Sequence, residues 1–124
     1  GAWGGIASLQ LRLPAVWTEA RARGHAPERL AEWLCAGPAR LAGLERRKGA
    51  IAPGRDADLV IWRPESEFAV DQRMLRHHHP LTPWLGRTLA GVVEATYLRG
   101  ERVYTRGAAD PPARGRLLTR LDSR

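Results

Sequence analysis

Lys48-Gly49-Ala50-Ile51-Ala52-Pro53-Gly54-Arg55-Asp56-Ala57-Asp58-Leu59-Val60-Ile61-Trp62 is the stretch whose reading decides the fold. Pro53-Gly54 marks a tight turn, and Gly49 and Gly54 supply positions where a positive φ costs little. Residues 57–62 then run almost continuously apolar, the pattern of a short buried strand, and Pro64 is expected to stop it. Asp56 and Asp58 flank the entry to that strand. Two carboxylates at i, i+2 suggest either a cation site or acceptors for backbone N–H groups that fix the turn. The second reading is favoured.

Upstream of this stretch the apolar period is helical. Leu13, Val16, Trp17 and Ala20 recur at i, i+3, i+4, i+7, which predicts a helix with Pro14 in its first turn and Gly24 as its stop. A second helix is expected over 27–36, with Leu30, Trp33 and Leu34 on its apolar face. Gly37-Pro38 breaks it and restarts a short helix that ends near Gly43. Downstream, residues 68–70, 92–98 and 102–104 read as strands, with Arg99-Gly100-Glu101 as a hairpin turn. Residues 116–121 read as a final edge strand after Pro111-Pro112. The chain thus divides near residue 45, helices before and a small antiparallel β module after.

Composition narrows the classes of function. The 124 residues suffice for one small domain with a core. No apolar run approaches a membrane span and no signal-peptide pattern is present, so a soluble, cytoplasmic protein is expected. The chain opens on Gly1 and its one methionine is Met74, which leads us to expect a truncated sequence. The single cysteine, Cys35, excludes an internal disulfide framework. Its neighbours Trp33, Leu34 and Ala36 predict a buried, inert thiol. The net charge of +7 comes almost wholly from arginine, with Lys48 the one lysine. Basic residues alternate with acids throughout and no aromatic stacking series accompanies them, so nucleic acid is not the expected partner.

Few residues offer chemistry by themselves. His77-His78-His79 is the only histidine cluster. Consecutive side chains do not converge on one ion in regular structure, so a structural role is favoured over metal binding. Ser8 has no evident base. No phosphate-cradling glycine loop of the Walker or dinucleotide type is present.

Three separated patterns together resemble a family. Ala39-Arg40-Leu41-Ala42-Gly43-Leu44, then Lys48-Gly49-Ala50-Ile51-Ala52-Pro53-Gly54, then Asp56-Ala57-Asp58-Leu59-Val60-Ile61 look like the C-terminal signature of the amidohydrolase superfamily, in its cyclic-amide branch. Leu89-Ala90-Gly91-Val92-Val93 and Leu98-Arg99-Gly100-Glu101-Arg102-Val103-Tyr104 are similar to the closing hairpin of that branch. Two further segments resemble allantoinases more than hydantoinases, dihydropyrimidinases or dihydroorotases. One is Ala2-Trp3-Gly4-Gly5-Ile6 with Leu9-Gln10. The other is His77-His78-His79-Pro80-Leu81-Thr82-Pro83-Trp84-Leu85-Gly86-Arg87, where the aromatic is more often Tyr. The terminal Gly115-Arg116-Leu117-Leu118 also fits.

The resemblance implies an α/β fold: the C-terminal portion of a (β/α)8 barrel, as helices, plus part of a small antiparallel β-sandwich. Residues 1–44 would be the last barrel segments and 45–124 the C-terminal share of the sandwich. It implies hydrolysis of the hydantoin ring of allantoin to allantoate by hydroxide generated on two zinc ions. These ions are bridged by a carboxylated lysine and held by histidines and an aspartate, which shuttles the proton. None of those ligands maps onto this sequence, and Lys48 is a turn residue. The implied substrate contact is the loop at Trp3, Gly4 and Gly5, where backbone groups approach the ring. The implied partners are a small cyclic amide and, for the whole enzyme, copies of itself; the chain alone is expected to be inactive. Apolar faces built for a barrel are expected to lie exposed in it, favouring oligomerisation or partial disorder of residues 1–44.

Overall fold

The computed structural model describes residues 7–78 and 81–119. Three helices and three strands follow one another: α1 (Arg12–Ala22), α2 (Glu28–Ala31), α3 (Gly37–Ala42), β1 (Leu59–Ala69), β2 (Thr88–Leu98) and β3 (Glu101–Thr105). The strands form one sheet in the order β1-β2-β3. Two compact units are present. One joins the segment ending at His25 to Pro64–Val92; the other joins Ala26–Arg63 to the segment from Val93 onward.

In the first unit α1 lies against the sheet. Its buried stripe is Leu11, Pro14, Trp17 and Ala20, so the face is rotated slightly from the expected one and Leu13 and Val16 are only half-buried. Leu11, Val70, Leu75 and Leu89 form the core, with Ala15, Phe68, Met74 and Trp84 packed around them. Polar groups on α1 lock the packing. The Trp17 indole N–H donates to the Pro64 carbonyl at 2.8 Å, and the Ala90 N–H donates to the Thr18 hydroxyl at 2.9 Å. Gln10 holds the loop after β1 from both sides, donating to the Met74 carbonyl at 2.7 Å and accepting from the Arg76 N–H at 2.8 Å.

Pro64 does not stop the first strand. The two runs expected at 57–62 and 68–70 are one strand of 11 residues passing through it. β1 is the outermost strand, where a missing N–H costs no ladder bond, and the orphaned carbonyl is taken by Trp17. Val60 and Ile61, expected to be buried, are 43% and 53% exposed.

In the second unit the helical stretch continues where a break was expected. Residues 32–36 wind as a π turn between α2 and α3. Pro38 has no N–H for the carbonyl four residues back, and its ring would press on that carbonyl in a regular helix. Widening the preceding turn carries the chain past it. Gly43, at φ 70°, ends α3 as expected. The Leu44 N–H reaches the Ala39 carbonyl at 2.8 Å and the Gly43 N–H the Arg40 carbonyl at 3.0 Å, satisfying carbonyls the helix leaves open. Leu30 is buried, but Trp33 is 38% exposed with the Arg29 guanidinium over its ring. Cys35 is exposed rather than buried, because the wider turn changes which side of the helix it occupies.

The hairpin reading holds. Leu98 pairs with Glu101, and the two residues between them, Arg99 and Gly100, have φ of 51° and 81°. That is the two-residue turn whose twist matches its strands. No strand forms at 116–119. Just before it, Arg114 is tied back by its carbonyl, which accepts from the Arg99 guanidinium at 3.0 Å, and by its own guanidinium on Glu101.

Leu11, 1% exposed, is the most completely buried side chain of the first unit. Leu11→Ala is expected to lower stability by about 3 kcal/mol, read as a fall in the urea midpoint at constant slope.

Candidate functional site

The densest arrangement of charged groups is the turn at 45–58. Its geometry begins with close approach. Gly49 has φ 84°, and a methyl there would lie 2.6 Å from the Ala39 Cβ and 2.9 Å from the Cys35 carbonyl oxygen. The turn backbone therefore rests directly on the helix, and only glycine meets both demands.

That approach places Lys48 beside two carboxylates. Its ammonium is 2.6 Å from Asp56 Oδ2 and also donates to Asp58 Oδ2. Arg47 Nε donates to Asp56 Oδ2 at 2.8 Å. Asp58 Oδ1 accepts from the Arg99 N–H at 2.8 Å, and the Gly100 N–H donates to the Ala57 carbonyl at 2.9 Å. Arg55 closes the turn from the far side, donating to the Glu45 and Lys48 carbonyls. Lys48 and Asp56 keep only 16% and 18% of their side chains exposed, so these ion pairs are screened less than surface pairs. The Lys48 ammonium, aided by Arg47, holds the Asp56 carboxyl below the usual carboxylate range against the opposing effect of partial burial.

This is architecture rather than a site for an ion. Asp58 does accept a backbone N–H, but that of Arg99 in the β2–β3 hairpin rather than one in the turn at 53–54 that the sequence suggests. Asp56 is held instead by two side-chain cations. Among the described residues no group of three or more His, Cys, Asp or Glu converges on a point. His77 packs with both ring nitrogens buried and unpartnered, and His78 is exposed. His79 lies outside the described residues, as do Trp3, Gly4 and Gly5, the expected substrate contacts. Sequence reasoning missed the groove beside α1, of about 410 Å³, lined by Thr18, Arg21, Ala22, Glu67, Thr88 and Ala90. Arg21 spans it to Glu65 and Glu67 at 3.6 Å each. No sequence signal marks it, since its residues come from three separate elements.

Two substitutions test the turn. Gly49→Ala is expected to cost about 3 kcal/mol, through strain and overpacking together, and Ala39→Gly in the same chain should restore part of that. Lys48→Met should cost about 2 kcal/mol by removing the cation that two carboxylates share, with only Arg47 left beside Asp56. Because the folded-state value of Asp56 lies below its ordinary 3.8, its contribution is present above that pH and lost as pH falls through the folded value. Asp56→Asn should therefore be less stable than the parent chain at pH 7, with the gap closing in urea titrations taken below about pH 4.

Known proteins place this geometry in context. The profile described as "Amidohydrolase family" matches residues 5–103. The allantoinase of Streptomyces avermitilis is 52% identical over 119 residues, covering 96% of this chain and 26% of that protein. The allantoinase of Arabidopsis thaliana is 42% identical over 118 residues, covering 94% and 23% respectively. Among solved structures, the L-hydantoinase (dihydropyrimidinase) of Arthrobacter aurescens superposes with a TM-score of 0.78 at 33% identity, over 86% of this chain and 24% of that one. The chain spans about a quarter of the length of these relatives. With the lysine-glycine turn, the Asp-Ala-Asp entry and the hairpin all in place, the chain belongs to the amidohydrolase family.

Proposed function

We propose that this chain is the C-terminal portion of a metal-dependent cyclic amidohydrolase that opens the hydantoin ring of allantoin to give allantoate. The observation that carries this is the 52% identity to an allantoinase across nearly the entire chain. A hydantoinase or dihydropyrimidinase reading has the similarity to the Arthrobacter structure in its favour, at the lower identity of 33%.

The two zinc ions of the implied chemistry do not fit the described residues. Lys48 and Arg47 balance Asp56 and Asp58, and among the described residues no group of three or more metal-binding side chains includes either acid. In our reading the ligands belong to the remainder of the enzyme, and this portion contributes shape and support. Residues 1–44 form the last helical segments of the barrel and residues 45–124 the C-terminal share of the sandwich. The order of elements supports this, since α1, α2 and α3 precede residue 45 and all three strands follow it. Trp3, Gly4 and Gly5 contact the substrate ring, because paired glycines admit main-chain groups close to a ligand. The partner is a small cyclic amide, and the whole enzyme is a cytoplasmic homo-oligomer.

A basic surface for nucleic acid or another protein has less support. Several of the arginines are engaged by acids or a hydroxyl of the same chain at its surface: Arg63 and Arg106 face Glu94, Arg114 faces Glu101, and Arg102 donates to the Tyr97 hydroxyl. No described helix is long and apolar enough to cross a membrane.

The test is substrate profiling of the longer enzyme that carries this segment, with allantoin, hydantoin, dihydrouracil and dihydroorotate offered in parallel. Allantoin should be turned over with a kcat/KM at least about tenfold above the others, a discrimination of about 1.4 kcal/mol. The 124-residue chain alone, loaded with zinc, should show no ring opening. Turnover by the isolated chain, or a preference for dihydroorotate, would refute the reading.

A further inference from the structure

Gln10 ties the start of the first unit to the loop after β1. Its carboxamide is engaged at both ends: the nitrogen donates to the Met74 carbonyl at 2.7 Å, and the oxygen accepts from the Arg76 N–H at 2.8 Å. A donor and an acceptor met by backbone groups two residues apart select one orientation of the amide. The support behind those groups is stiff. The Asp71 side chain accepts from the Arg73 N–H at 2.7 Å, and its carbonyl accepts from the Met74 N–H at 3.2 Å. Val70 is bonded to Gly86 and Arg87 at 2.9 Å each. Stability alone does not account for Gln10. The side chain is exposed, where water competes for both bonds, and Leu11 next to it already seats this part of the chain in the core.

What the contact supplies is position. Gly5 stands five residues before Gln10, a stretch that spans at most about 17 Å when fully extended. Paired glycines are conformationally permissive and do not hold a loop in one shape by themselves. Main-chain groups at Gly4-Gly5 therefore depend on how firmly the chain beyond them is held. We propose that Gln10 is a positioning residue for ring binding: its carboxamide fixes the chain that leaves Gly4-Gly5 against the rigid turn at 71–76. Main-chain groups at residues 3–5 then meet the substrate ring in register. The inference rests on the reading that Trp3, Gly4 and Gly5 contact the ring. Gln10 itself touches no substrate in this role.

The experiment is steady-state kinetics with allantoin on the longer enzyme that carries this segment, comparing the parent with Gln10→Met and Gln10→Glu. The first variant keeps the length of the side chain and removes both hydrogen bonds; the second keeps an oxygen to accept from Arg76. Gln10→Met should raise KM about tenfold or more, with kcat changed less than about twofold and with metal content and urea midpoint matching the parent. That is the pattern of lost binding rather than lost chemistry. Gln10→Glu should fall between Gln10→Met and the parent. Exchange of the Arg76 amide should quicken about tenfold in Gln10→Met, reporting the released contact. An unchanged KM with that amide released would overturn the proposal. So would a loss confined to kcat or to the urea midpoint, which makes Gln10 a structural residue only. If Gln10→Met does not accumulate, Gln10→Glu decides, and a KM equal to the parent's overturns the proposal. Gly4→Ala tests the ring contact by itself: an unchanged KM there sinks that reading and the positioning with it, whereas an unchanged KM in Gln10→Met alone sinks only the positioning. If the parent prefers another cyclic amide, the allantoin reading falls and the same comparison is decided on that ring.

Discussion

Everything distinctive about the second unit depends on one ammonium group shared by two carboxylates. Lys48 reaches Asp56 and Asp58 at once, and each acid then carries a different load. Asp56 gathers Arg47 onto the turn. Asp58 extends a second oxygen to the backbone of the β2–β3 hairpin. Charge balance is what makes the arrangement stable. Two acids facing each other without the lysine would repel, and a lysine without both would be a partly buried, unsatisfied cation. The glycine that follows is the steric half of the same device, since it lets the turn rest on the helix closely enough to bring the ammonium into reach.

This gives the family signature a physical meaning separate from catalysis. The residues of the lysine-glycine turn hold turn, helix and hairpin of one unit together. A signature of this kind reports the fold.

Sequence and structure agree where local rules act alone. Gly43 as helix stop and Arg99-Gly100 as hairpin turn were legible because a positive φ leaves few choices of residue. The lysine-glycine turn was legible as a pattern, although its contact with Ala39 was not. Misreadings cluster where tertiary context overrides a local signal. Pro64 looked like a strand stop, and its place on the outermost strand of the sheet made it tolerable. Gly37-Pro38 looked like a break, and a π turn absorbed it. Val60 and Ile61 looked buried because apolar character says what a residue prefers, whereas exposure depends on what else is there to cover it. The contacts expected at Trp3, Gly4 and Gly5 rest on resemblance alone and lie outside the described residues.

The π turn over 32–36 has a further consequence for how this helix tolerates change. Such a turn holds one residue more than regular winding does, so every side chain after it is rotated by about 100° from where an uninterrupted helix would carry it. Ala39, against which Gly49 rests, owes its direction to that offset. Regular winding at the present length would swing Ala39 away from Gly49 and drive the ring of Pro38 into the carbonyl it now avoids. The seat of the lysine-glycine turn therefore depends on how residues 32–36 wind as well as on the letters of the turn itself.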